Sequence, residues 1–296
     1  MLLRSMRLPI TCCIAALLAL GACNDSPSAP STMVDSGSWY VTGFRWPHDG
    51  RPYESEHFIV YSDAASDEAR RTLAEIGEEL LAVLRQDFEI ASDTLFHFPT
   101  GQTKIHIYTY KDYYPHEWGG RAYYGGLMIY SLDHPGRTSA GHTDMGMYVP
   151  VVKHELMHVV ESLLKGDNDP NLVDVWLTEG LAEYVSGGTA GGSITSLAKL
   201  EELIAAFGEL NPIAMHQYRY PDIDGVIYYY YYPMFELAVS YLLDPASTGR
   251  EKTDVRDLFF DARDGVLFAT AFEDRFGISL ADYEAQFFDL VRGFLN

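Results

Sequence analysis

Apolar and polar positions change their period several times along the chain, and each change predicts an element. Glu56 to Tyr61 (EHFIVY) has the β-branched and aromatic content of a strand. From Ser66 onward, Leu73, Ile76, Leu80, Leu81 and Leu84 recur at helical spacing as far as Asp87, with Ser66 placed to cap the helix and Asp67 and Glu68 in its first turn. Thr103 to Tyr110 (TKIHIYTY) alternates apolar and polar residues, which predicts a half-buried strand. Arg121 to Ser131 (RAYYGGLMIYS) predicts a further strand or a hairpin around Gly125-Gly126. After this point nearly every segment reads as helix: about Tyr148 to Leu164, Val173 to Val185, Ser196 to Phe207, Pro233 to Leu243, Val255 to Ala262 and Leu280 to Phe294. Sheet first and helices after is an α+β plan, a mixed sheet with a packed helix followed by a mostly helical lobe. Catalytic groups are expected in the cleft between them. Residues 38–296 read as one domain, without internal repeats or a second linker.

The first residues belong to a different pattern. Arg4 and Arg7 give a positive start, and Pro9 to Leu20 (PITCCIAALLAL) is an apolar run shorter than the roughly 20 residues a membrane-spanning helix needs. It ends in Leu20-Gly21-Ala22-Cys23, which resembles a bacterial lipobox. The expectation is a signal peptide over residues 1–22, a lipid on Cys23, and a flexible Ser- and Pro-rich tether over residues 23–37. The protein is therefore expected to be exported and anchored through its lipid to a bacterial membrane, on the periplasmic or cell-surface side.

Composition narrows the chemistry. All three cysteines (Cys12, Cys13, Cys23) lie in the leader or at its end, so a metal site in the domain must be built from His and carboxylates. Removing Arg4 and Arg7 from 21 basic residues, against 42 acidic ones, leaves a net charge of −23. A field of that sign repels phosphate backbones and argues against nucleic acid as a partner.

The feature that carries chemistry is His154-Glu155-Leu156-Met157-His158 within a helical stretch. Residues four apart on a helix share a face, roughly 5–6 Å apart at Cβ, so both imidazoles can reach one ion while Glu155 projects beside them toward a water. After twenty intervening residues His158 is followed by Glu179, within Asp174-Val-Trp176-Leu-Thr-Glu179-Gly180-Leu-Ala-Glu183-Tyr184, which reads as a second amphipathic helix. A carboxylate there would complete a His₂Glu set with the fourth position open, the arrangement of catalytic rather than structural zinc.

These two segments resemble the gluzincin metallopeptidases, the thermolysin-like superfamily that includes the zinc aminopeptidases. In that family HExxH is followed by a helix reading close to D-x-W-L-x-E-G. The resemblance implies one Zn²⁺ per chain on His154, His158 and Glu179, with Glu155 as general base in the hydrolysis of a peptide or protein substrate. Glu183 and Asp174 are candidates for holding the imidazole N–H groups from behind. The zinc aminopeptidases stabilise the oxyanion with a tyrosine in the pattern Y-x8-Y-L, which Tyr232 to Leu242 (YPMFELAVSYL) matches. Tyr232 is the choice, Pro233 suiting a first helical turn, with Tyr230 or Tyr231 of the same run as alternatives for the role. Gly119 to Gly126 falls where the family keeps the edge strand that pairs with substrate. The G-x-M-E-N element that binds a free amine in the aminopeptidases has no counterpart here. Two alternatives stand beside a peptidase: a zinc hydrolase of a non-peptide substrate, and a surface binding protein that keeps this fold without turnover.

Overall fold

The computed structural model describes residues 34–35, 38–41, 44–91, 102–111, 120–123, 125–134, 145–166, 172–188, 201, 225–245 and 247–295. The leader with Cys23, His116, His142 and, apart from Glu201, the helix expected over Ser196 to Phe207 lie outside these residues.

Three short strands, β1 (Val34–Asp35), β2 (Ser38–Val41) and β3 (Phe44–Pro47), form an antiparallel sheet with Val34 opposite Trp39 and Ser38 opposite Pro47. No pattern in the sequence predicts this sheet, and its first strand falls in the stretch expected to be tether. Strands this short carry almost no periodicity.

The main sheet has the order β4-β5-β6-β8-β7, from β4 (Tyr53–Glu54), β5 (Phe58–Ser62), β6 (Ile105–Tyr110), β7 (Gly120–Tyr123) and β8 (Gly126–Tyr130). The inner pairs β5/β6 and β6/β8 are parallel, whereas β4 and β7 are antiparallel edges. Helix α1 (Asp67–Asp87) crosses from β5 to β6, and Ser66 caps it by accepting the Ala69 N–H at 3.1 Å. Its Gly77 lies so near β5 that a Cβ there would come within 3.1 Å of the Phe58 ring. β7 and β8 form the hairpin expected around Gly125, whose φ of +77° suits a residue without a side chain.

One expectation about the sheet fails. β6 is not half-buried: all six of its residues are buried, including His106 and Thr109. A central strand with parallel neighbours is covered on both faces, so the alternation in its sequence does not mark a solvent side.

The remainder is helical: α2 (Met145–Lys165), α3 (Val175–Ser186), α4 (Gly225–Leu243), α5 (Lys252–Arg263), α6 (Phe268–Phe276) and α7 (Leu280–Leu295). The chain is thus α+β, as its order of periodicities predicts. Two helix starts differ from expectation. α4 begins at Gly225 rather than at Pro233, and α2 at Met145, so Pro233 and Pro150 both lie inside helices. A proline removes one N–H and crowds one carbonyl, which a helix held by its neighbours can absorb. α6 was not predicted; its buried Phe268, Ala271, Phe272 and Phe276 have helical spacing, but over only nine residues.

One apolar cluster joins sheet and helices. α2 packs against β7 and β8 on one side and against α3 on the other, and α3 is held in turn by α4. Tyr283 of α7 stacks on Trp176 of α3 at 5.7 Å and donates its hydroxyl proton to the Ala238 carbonyl of α4 at 2.5 Å. The pair α3 and α4, which bears Glu179 and Tyr232, is thereby fixed from behind.

Candidate metal centre

α2 is apolar on nearly all sides, with Val151, Val152, Leu156, Met157, Val159, Val160 and Leu164 in the core, so its polar residues are buried with it. His154 and His158 meet edge to face one turn apart, their ring centroids 4.8 Å from each other and their planes at 80°. Their Nε2 atoms approach to 3.1 Å. Glu179 of α3 adds its Oε2 at 3.4 Å from Nε2 of His154 and 3.2 Å from Nε2 of His158.

Three donor atoms therefore form a triangle with edges of 3.1, 3.2 and 3.4 Å. For zinc bonded at roughly 2.0–2.1 Å with tetrahedral angles, the expected edge is about 3.3–3.4 Å. The residues predicted from sequence as ligands are the residues brought together, and their spacing fits the ion.

Behind the triangle each imidazole has its own carboxylate. Glu183 Oε1 lies 3.0 Å from Nδ1 of His154, and Glu161 Oε2 lies 3.1 Å from Nδ1 of His158. With an ion at the shared centre both Nε2 lone pairs would turn to it, leaving the imidazole protons on the Nδ1 atoms that face these carboxylates. Glu183 occupies the place suggested for it. Asp174 is buried at the N-cap of α3 with φ −63° and ψ 140°, makes no capping bond with its side chain, and is not one of the two carboxylates on the Nδ1 atoms. Glu161 was missed. The available signal was an acid in the apolar run His158-Val-Val-Glu161-Ser-Leu-Leu, three residues after a histidine and so on its face.

α3 corrects the amphipathic reading. It is buried on almost every side, Glu179 and Glu183 included, because α2 and α4 enclose it. Its C-terminal end turns out through Gly187 (φ +82°), whose N–H bonds the Glu183 carbonyl. Gly180 is required inside it: a Cβ there would collide with the Phe235 carbonyl oxygen of α4.

Glu155 of α2 lies under the edge strand β7. A Cβ on Gly120 of β7 would lie 2.6 Å from its Cγ and 2.9 Å from its Oε1. Burial pushes the Glu155 carboxyl up from its usual value, and Glu179 adds to this, while the imidazoles and Arg121 of β7 act in the opposite direction. Burial would likewise raise Glu179, but the two imidazoles outweigh it and keep this carboxyl low, as an anion. Four carboxylates, Glu155, Glu161, Glu179 and Glu183, are no more than 2% exposed. Acids so buried are tolerated when cations compensate them, and a divalent ion at the triangle would supply that charge.

Tyr232 of α4 stands beside the centre, 3% exposed, its ring centroid 6.0 Å from that of His154. The side chains of Tyr230 and Tyr231 lie outside the described residues. Comparison with models of known protein families and with curated proteins finds no match. The functional reading accordingly rests on the site.

Proposed function

We propose that this chain is a zinc-dependent peptidase in which His154, His158 and Glu179 hold the ion, Glu155 is the general base and Tyr232 stabilises the oxyanion. The observation that carries the reading is the convergence of two Nε2 atoms and one carboxylate oxygen within 3.4 Å, with a carboxylate behind each imidazole. The resemblance of HExxH and D-x-W-L-x-E-G to the gluzincins supports the same assignment. When bound, the ion supplies Lewis acidity that polarises a carbonyl and acidifies a water.

The rest is the work of side chains. Glu155 takes a proton from the attacking water on its carboxylate and delivers it to the amine as the C–N bond breaks, so acid and base are one group used twice. Its raised proton affinity suits the acceptor role, and its position under β7 places it beside the strand along which an extended substrate would lie. Tyr232 donates its O–H to the oxygen on which negative charge develops. Glu183 keeps the His154 ring oriented. The lipobox-like Leu20 to Cys23 supports action outside the cytoplasm, on a membrane-tethered protein.

The test is metal content by mass spectrometry after dialysis, followed by a peptide screen. About one zinc per chain, lost in Glu179→Ala and His154→Ala, is expected. Glu155→Gln should keep the zinc and lose hydrolysis; unchanged hydrolysis in that variant overturns the mechanism.

A further inference from the structure

We propose that Glu161 is a positioning residue that fixes the His158 ring with its proton on Nδ1, and so determines how well the site takes a metal ion. The proposal rests on the metal reading above and extends it to a residue outside the ligand set. A neutral imidazole carries one N–H, and its two nitrogens then differ as donor and acceptor. Nδ1 of His158 faces Glu161 Oε2 at 3.1 Å, while Nε2 faces the His154 Nε2 at 3.1 Å and Glu179 Oε2 at 3.2 Å. With the proton on Nδ1, Glu161 accepts it and Nε2 offers its lone pair at the centre of the triangle. With an ion at the triangle Nε2 would be committed to it, and the nitrogen left to carry the proton is Nδ1, which faces Glu161.

Two further observations favour a role of this kind over ordinary packing. Glu161 is 2% exposed, and its other oxygen, Oε1, is buried with no hydrogen-bond partner among the described residues. A carboxylate so buried with one hydrogen bond is costly, and Lys165, one turn further along the same helix, offsets only part of that cost. Glu161 also sits on the same helix as the ring it holds, three residues on, whereas Glu183 reaches His154 from α3.

The experiment uses the full chain with ¹⁵N-labelled histidine, the His158 signals being assigned by their loss in His158→Gln. In the zinc-loaded wild type, Nδ1 should carry the proton and Nε2 none. Glu161→Gln, which keeps the shape but can donate as well as accept, should weaken zinc binding by about 10–100-fold in competition with a chelator. Thermal unfolding of the metal-free variant separates this from a loss of fold. In the zinc-loaded wild type, a His158 proton on Nε2 overturns the proposal whatever the variant does, and so does zinc affinity in Glu161→Gln within about two-fold of wild type. Failure of the wild type to bind zinc at all would instead sink the metal reading and this proposal with it, whereas normal zinc binding by both proteins sinks this proposal alone.

Discussion

Gly180 touches the main chain of Phe235: a Cβ on it would run into the Phe235 carbonyl oxygen and come within 2.9 Å of Val239 Cγ2. α3 and α4 thus meet through backbone, one residue after the proposed ligand Glu179 and three residues after Tyr232. Alanine is the better helix former by about 1 kcal/mol, which alone would favour Gly180→Ala. A carbonyl in a packed helix does not yield as a side-chain tip does, and overpacking of this sort costs about 1–3 kcal/mol. The second effect wins. Gly180→Ala should lower the unfolding temperature of the metal-free protein and weaken zinc binding, since Glu179 moves with the helix. An unfolding temperature equal to or above that of the wild type would show that the two helices separate freely.

Removing one hydroxyl tests Tyr232. Its ring packs beside His154 and Phe235, and phenylalanine keeps that packing. Tyr232→Phe should retain zinc and a similar KM while kcat falls by about 10²–10³-fold, the usual effect of losing one oxyanion donor. The same loss in Tyr231→Phe or Tyr230→Phe, with Tyr232→Phe unaffected, would move the role along the tyrosine run.

Gly120 limits the space available to Glu155. A methyl group at this position would meet Glu155 Cγ at 2.6 Å, and the carboxylate must swing away. Misplacing a catalytic group by about 1 Å can cost about 10²-fold in rate. Gly120→Ala should therefore lose turnover on that scale while binding zinc like the wild type, because the three atoms nearest such a methyl group all belong to Glu155 and none to the proposed ligands. Full activity would mean that Glu155 works from more than one position.

The part of the site written in local sequence was the part that could be read. His154, Glu155 and His158 are close in sequence on one helix, and Glu179 follows on a second helix with its own signature. The α+β order was equally visible in the change from strand to helix periods. What escaped depended on contacts between distant segments. Gly120 reaches Glu155 from a strand, and Gly180 lets α4 approach, neither of which a local pattern records. β6 looked half-buried because its alternation says nothing about what covers the second face. Glu161 was concealed in another way. Its position shows in the sequence, but its meaning appears only when Nδ1 of His158 is seen to face it.

Away from the site, Glu78 joins α1 to the segment between β4 and β5. It accepts the Ser55 hydroxyl at 2.6 Å, the His57 N–H at 2.7 Å and faces His57 Nδ1 at 2.6 Å. Burial pushes its carboxyl up, but the Ser55 and His57 bonds outweigh burial and hold it below its ordinary value of 4.5. A carboxyl depressed in the folded state contributes stability that is complete above its unfolded value and is lost as pH falls through the folded one. Hydrogen bonds to a charged, partly exposed group of this kind suggest about 1–2 kcal/mol for Glu78→Gln. In metal-free protein, the difference in unfolding temperature between wild type and Glu78→Gln should be greatest near about pH 6 and shrink steadily toward about pH 3. A difference that stays constant over that range would show that the bonds survive protonation and that the charge on Glu78 contributes nothing to the fold.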